Sequence, residues 1–246
     1  MFYTTYLTVP RLYRKAITHL FINAVKTNLL KPFIRKQSNA EMIEGFTKRY
    51  TNNNLYQSYL DGAVNWYLDP IHHCEAHLSE IPNTADTFVL DIGCGPASIC
   101  YWLRTNNYKW QYIGVDIIKQ VEKYIKPLNN ASFISKKIEN ITIDDLPQKP
   151  DIIFAVNSLC YINDIKDTLE NLFNISKPET KLIIIDIYPS LFWDKKSIAN
   201  LRSTHNLQKI LNDAGWAPKK KLILSIYNFA NIPLMKISHS FLCERS

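Results

Sequence analysis

The segment Asp91-Ile92-Gly93-Cys94-Gly95-Pro96-Ala97 sets two closely spaced glycines behind an acid and an apolar run. Glycines in such a turn let the chain reverse tightly and bring its backbone close to a ligand, and a helix that starts there offers free N–H groups. A second acid, Asp116, closes the next apolar run, Tyr112-Ile113-Gly114-Val115. It stands about twenty residues on, where a doubly wound fold sets a carboxylate against ribose hydroxyls. Together they form the pattern of a nucleotide site. A dinucleotide suits it poorly. The G-x-G-x-x-G count breaks at Ser98, and Asp91 would stand where a pyrophosphate comes, so that like charges repel. A nucleotide with sulfonium and ammonium groups, S-adenosyl-L-methionine, tolerates a carboxylate there.

Displacement at a sulfonium carbon needs alignment above all, and an acceptor atom free of its proton. A hydroxyl or amine acceptor benefits from a base. His72, His73, Tyr161, Tyr188 and Asp186 are of suitable type, and Tyr161 and His73 are kept as the catalytic candidates. His72 and His73 precede Cys74 and invite a metal reading. Adjacent residues on a helix do not face together, and no third ligand has suitable spacing, so no metal is expected. Both histidines also suit the surface or the core.

These residues need a frame to hold them. The chain has 246 residues, 46% of them apolar and 21% charged, which suits a globular protein with a full core. No apolar run is long enough to span a membrane as a helix. Five cysteines with no C-x-x-C pair read as reduced thiols rather than a disulfide frame or zinc site. Residues 10–82 read as helices with short breaks, the second beginning at Ala40 and ending near Thr51, and a third running roughly from Tyr56 to Ile81. From residue 86 short apolar runs alternate with helical segments: Phe88–Ile92, Tyr112–Asp116, Asp151–Val156 and Lys181–Asp186 as strands, Ala97–Asn107 as a helix. Such runs suit a parallel sheet covered on both faces. Leu222–Phe229 and Leu234–Cys243 have only a short connection between them and should pair as an antiparallel hairpin. The expectation is an α/β, Rossmann-like, mostly parallel seven-stranded sheet over residues 86–246, with residues 1–85 as a helical cap or lid. The net charge of +7 is local: residues 1–50 hold nine Lys/Arg, among them Arg11, Arg14, Lys15, Arg35 and Lys36, against Glu41 and Glu44. A basic segment can attract an anionic small molecule, a nucleic acid or a membrane surface, or be only a solvated helix face.

Over roughly residues 86–246 the sequence resembles class I S-adenosylmethionine-dependent methyltransferases. Asp91–Pro96 is similar to the family's first motif, and Val115-Asp116-Ile117 to its second. Asn157-Ser158-Leu159-Cys160-Tyr161-Ile162 resembles the segment lining the methyl-transfer pocket, and Leu211–Trp216 the helix end before the final hairpin. The resemblance implies that Asp91, Gly93, Cys94, Gly95 and Asn157 bind the cofactor, with the aminocarboxypropyl tail in the glycine loop. It puts the ribose on Asp116, apolar contact with adenine on Ile117, and Tyr161 at the pocket.

One position departs from the pattern. Lys137 stands where many members carry an acid for the adenine amino group, and a lysine only donates. Glu139, or the backbone at Ile138, is left to meet the ring. Leu159-Cys160 does not match the Pro-Cys or Thr-Cys pair of cytosine-C5 enzymes, and the signature of amino-directed base enzymes is absent. Nucleic-acid modules are missing too. The expected activity is therefore methyl transfer to a small or medium-sized, nucleotide-like or anionic acceptor by a cytoplasmic enzyme. Peripheral membrane contact stays open. Transfer of the aminocarboxypropyl or an aminopropyl chain from the same cofactor is the alternative, and a non-catalytic cofactor-binding protein a third reading.

Overall fold

The computed structural model describes residues 3–8, 39–52, 74–79, 81–84, 86–162, 164–187, 202–225, 228–229, 232–233 and 236–246. Their centre is β2 (Phe88–Ile92), buried along its whole length. It pairs in parallel with β3 (Gln111–Asp116) on one side and β5 (Ile152–Val156) on the other. Beyond β3 lies β4 (Ala131–Ser135), and beyond β5 lies β6 (Lys181–Ile187), both parallel. The expected continuous apolar runs are these strands, and their alternate side chains feed two cores. Leu90, Ile153 and Ile184 face α3 (Ile165–Ile175) and α4 (Thr204–Asp213). Val89, Phe154 and Ile183 face α2 (Ser98–Thr105) and the helical residues 74–78. A sheet covered on both faces can bury that much apolar surface, which is the main favourable term in its folding.

The last two long strands are β7 (Trp216–Ser225) and β10 (Lys236–Arg245), with β10 antiparallel to both β6 and β7. Their tip carries a two-residue ladder of β8 (Asn228–Phe229) and β9 (Ile232–Pro233). The hairpin is thus present but starts earlier than Leu222. Pro218 and Lys219-Lys220-Lys221 hide the strand pattern in sequence, and Pro218 sits at a register shift, where a missing N–H is tolerated.

Among the described residues the sheet has the expected seven strands, six at the apolar runs named from sequence and β4 as the seventh, and an eighth joins them. Residues Tyr3–Thr8 form β1, parallel to β7, so the sheet order is β1-β7-β10-β6-β5-β2-β3-β4. The segment Tyr-Thr-Thr-Tyr-Leu-Thr is rich in residues that favour strands, and the first 85 residues are therefore not helical throughout. Of the expected cap helices, α1 (Asn39–Thr51) is seen within one residue of its expected start. The expected third helix is described only at residues 74–78. No helix among the described residues is long and apolar enough to cross a membrane.

Chain order reverses between β2 and β5, and in an open sheet of this kind ligands bind outside the carboxyl ends of the strands at such a reversal.

Candidate active site

The turn after β2 is built by backbone conformations that few residues adopt. Gly93 has φ 67°, Gly95 φ 47° and Ala97 φ 59°, all left-handed. Gly93 admits no side chain for a second reason: a Cβ there would stand 2.4 Å from the Cβ of Ser158. The loop is tied to the neighbouring strand. The amides of Gly93 and Cys94 donate to Val115 O at 2.8 and 3.0 Å, and Gly95 N–H donates to Asp116 Oδ2 at 3.0 Å. The other oxygen, Oδ1, accepts from Ile118 N–H at 2.9 Å. A carboxylate has about four lone-pair sites, so Asp116 keeps acceptor capacity for a hydroxyl pair. Burial raises its pKa, against the backbone bonds that favour the charged form.

Asp91 stands in β2, two residues before Gly93. It is 1% exposed, and its Oδ2 accepts from the Tyr112 hydroxyl at 2.6 Å. Burial pushes its carboxyl up to about 7; the Tyr112 bond opposes this and the nearby Asp116 charge adds to it. The repulsion toward a pyrophosphate argued from sequence is weaker for a carboxyl so placed. Cys94 also turns inward: a Cβ on Gly114 would stand 2.8 Å from its Sγ, so Cys94 serves the loop through its backbone. Its thiol, like that of Cys160, is driven well above the ordinary range by burial, which leaves neither as a ready nucleophile.

Around the loop stand the other expected residues. Ile117, 40% exposed, is an apolar side chain open to solvent directly after Asp116. Ile138 is buried, its Cδ1 3.6 Å from the position of a Cβ on Gly93, while Lys137 and Glu139 are exposed. Asn157 follows β5 at φ 50° and donates its N–H to Ile185 O at 2.7 Å. Its strained turn carries Leu159–Tyr161 as one 3-10 turn. Arg202 holds that turn from outside, donating to Leu159 O and Ile162 O at 3.1 and 3.2 Å. Asp186 is buried, and its charge acts on both Arg202 and Cys160. His72, His73 and Tyr188 lie outside the described residues. Among those described, no group of three ligating side chains could hold a metal.

The helix α1 closes this floor. The Tyr50 hydroxyl lies 3.2 Å from where a Cβ on Gly95 would be, and the Tyr50 ring stacks on Phe46 at 6.0 Å. Phe46 in turn meets Tyr161 edge to face at 5.7 Å. Tyr124 donates its hydroxyl to Tyr50 O at 2.7 Å and pins the end of α1. An aromatic line thus runs from the glycine loop to the turn after β5. Sequence reading gives Phe46 no place at the site and names Ser158 only within the segment that resembles the pocket lining. An apolar pair four apart on a helix was the available signal for Phe46 and Tyr50; nothing in sequence says which strand loop they cover.

A family model described as a methyltransferase domain matches residues 83–231. Among solved structures, the N-methyltransferase NodS of Bradyrhizobium japonicum WM9, in complex with S-adenosyl-L-homocysteine, aligns with TM-score 0.62 at 12% identity, covering 82% of this chain and 97% of its own. A SAM-dependent methyltransferase from Aquifex aeolicus aligns with TM-score 0.51 at 19% identity, covering 70% and 89%. The [4+2]-cyclase SpnF aligns as well, with TM-score 0.53 at 11% identity over 65% and 75%. At such identities the likeness concerns the fold, which hosts more than one chemistry. No curated protein matches by sequence.

Proposed function

The chain belongs to the methyltransferase domain family, and we propose that it moves a methyl group from S-adenosyl-L-methionine to a small or medium-sized acceptor closed under α1. When bound, the cofactor supplies a methyl carbon made electrophilic by a positively charged sulfur. The residues present fit it. The left-handed turn at Gly93 and Gly95 presents loop backbone to the tail, and Asp116 takes the ribose hydroxyls on its spare lone pairs. Ile117 and Ile138 offer apolar contact to adenine, with the backbone at Ile138 or the exposed Glu139 for its amino group. Asn157 and Tyr161 border the place of transfer. The observation that carries this reading is the pinning of the glycine loop onto Asp116, which orients its carboxylate without exhausting its acceptors.

Tyr161 packs on Phe46, which supports a role as pocket wall more than as base. An acceptor that needs little base, such as a carboxylate or an N-heterocycle, suits such a wall. The basic character of residues 1–50 supports an anionic acceptor. Turnover of S-adenosyl-L-methionine with a panel of such acceptors tests the reaction. S-adenosyl-L-homocysteine is the expected by-product; 5′-methylthioadenosine in its place would overturn methyl transfer in favour of moving the tail.

A further inference from the structure

Ser158 begins the 3-10 turn Leu159–Tyr161, where a serine ordinarily turns its hydroxyl onto a backbone N–H of the turn. It does not do so here: the turn has no side-chain cap, and Tyr161 N–H donates to the Ser158 carbonyl at 3.1 Å instead. Ser158 is 6% exposed, and its Oγ is buried with no hydrogen-bond partner among the described residues. A buried hydroxyl left without a partner is costly, and an alanine would occupy the place without that cost. The hydroxyl lies across from Gly93, 3.3 Å from where a Cβ on that residue would be. The nearest loop amides cannot satisfy it, since Gly93 and Cys94 both donate to Val115 O.

We propose that the Ser158 hydroxyl waits for the cofactor and hydrogen-bonds the polar head of its aminocarboxypropyl tail, an assignment that rests on the cofactor reading above. A hydroxyl both donates and accepts, so it serves a tail carboxylate or a tail ammonium. The tail then supplies the partner that the protein groups around Ser158 do not. Ser158 is then a specificity residue for nucleosides that carry the tail over those that lack it.

The test is Ser158→Ala in the full chain. S-adenosyl-L-homocysteine and 5′-methylthioadenosine, which lacks the tail, are titrated calorimetrically, and the unliganded protein is melted. The expected result is S-adenosyl-L-homocysteine binding weakened roughly tenfold to a hundredfold, the loss of one hydrogen bond to a charged group. Binding of 5′-methylthioadenosine should stay within about twofold, and the unliganded melting temperature should hold or rise because an unpaired hydroxyl has gone. Unchanged S-adenosyl-L-homocysteine affinity overturns the assignment, as does an equal loss for both nucleosides or a lowered unliganded melting temperature. A wild-type chain that binds neither nucleoside overturns the cofactor reading itself.

Discussion

Asp91 couples the stability of the fold to pH. Burial raises its carboxyl from an ordinary value of 3.8 to about 7, so between those values the folded chain holds a proton that the unfolded chain releases. The stability this group adds is fully present below the unfolded value and is lost as pH rises through the folded one. Asp91→Asn keeps the shape without the titration. Melting curves from about pH 4 to pH 8 should therefore show the wild type losing ground to the variant across that window; parallel curves would deny the shift. Gly93→Ala should cost about 1–2 kcal/mol for its left-handed backbone, plus the displacement of Ser158, whose Cβ lies 2.4 Å from the added carbon. Denaturant unfolding measures it, and a neutral substitution would mean the turn is not as described. Gly93, Gly95 and Asp116 are legible in sequence because their use is local: turn geometry and strand ends follow from residue type and spacing. The burial of Asp91 and the idle hydroxyl of Ser158 are tertiary facts. A serine before a turn reads as a cap until the packing shows otherwise.

At the scale of elements, α1 sets its aromatics against the glycine loop and the turn after β5. Phe46→Ala removes both ring contacts, with Tyr50 and with Tyr161, each pair being worth about 0.5–1.5 kcal/mol beyond its area. Hydrogen exchange should quicken both in α1 and in the Leu159–Tyr161 turn, while S-adenosyl-L-homocysteine affinity stays within about threefold. Faster exchange in α1 alone would mean that the helix and the turn are not coupled through Phe46. The bounds of α1 were readable from its pattern, yet which loops it covers was not, because one amphipathic helix can pack on any apolar surface of fitting shape. Strand β1 is not legible in sequence for a related reason: six residues of strand-forming type need a partner to become a strand, and β7 lies far along the chain.

For the whole molecule, the proposed function gives the cofactor to the doubly wound sheet and the acceptor to the early part of the chain. The proposal of an anionic acceptor rests on the basic character of the first 50 residues. Deleting residues 1–38 would also remove β1, so neutralising Arg11, Arg14, Lys15, Arg35 and Lys36 to glutamine is the cleaner probe. All five lie outside the described residues. With a phosphate-bearing acceptor, KM should rise at low salt and converge with wild type at high salt, with S-adenosyl-L-homocysteine affinity unchanged; equal KM at low salt would remove the electrostatic role. The central claim concerns the nucleotide floor, where the glycine loop and Asp116 meet. Calorimetric titration of S-adenosyl-L-homocysteine into the wild type and Asp116→Ala tests it most directly, with NAD as the control ligand. Saturable binding to the wild type, roughly tenfold or more weaker binding to the variant and no heat from NAD are the predicted result; undiminished affinity in Asp116→Ala, or binding of NAD in place of S-adenosyl-L-homocysteine, would contradict it.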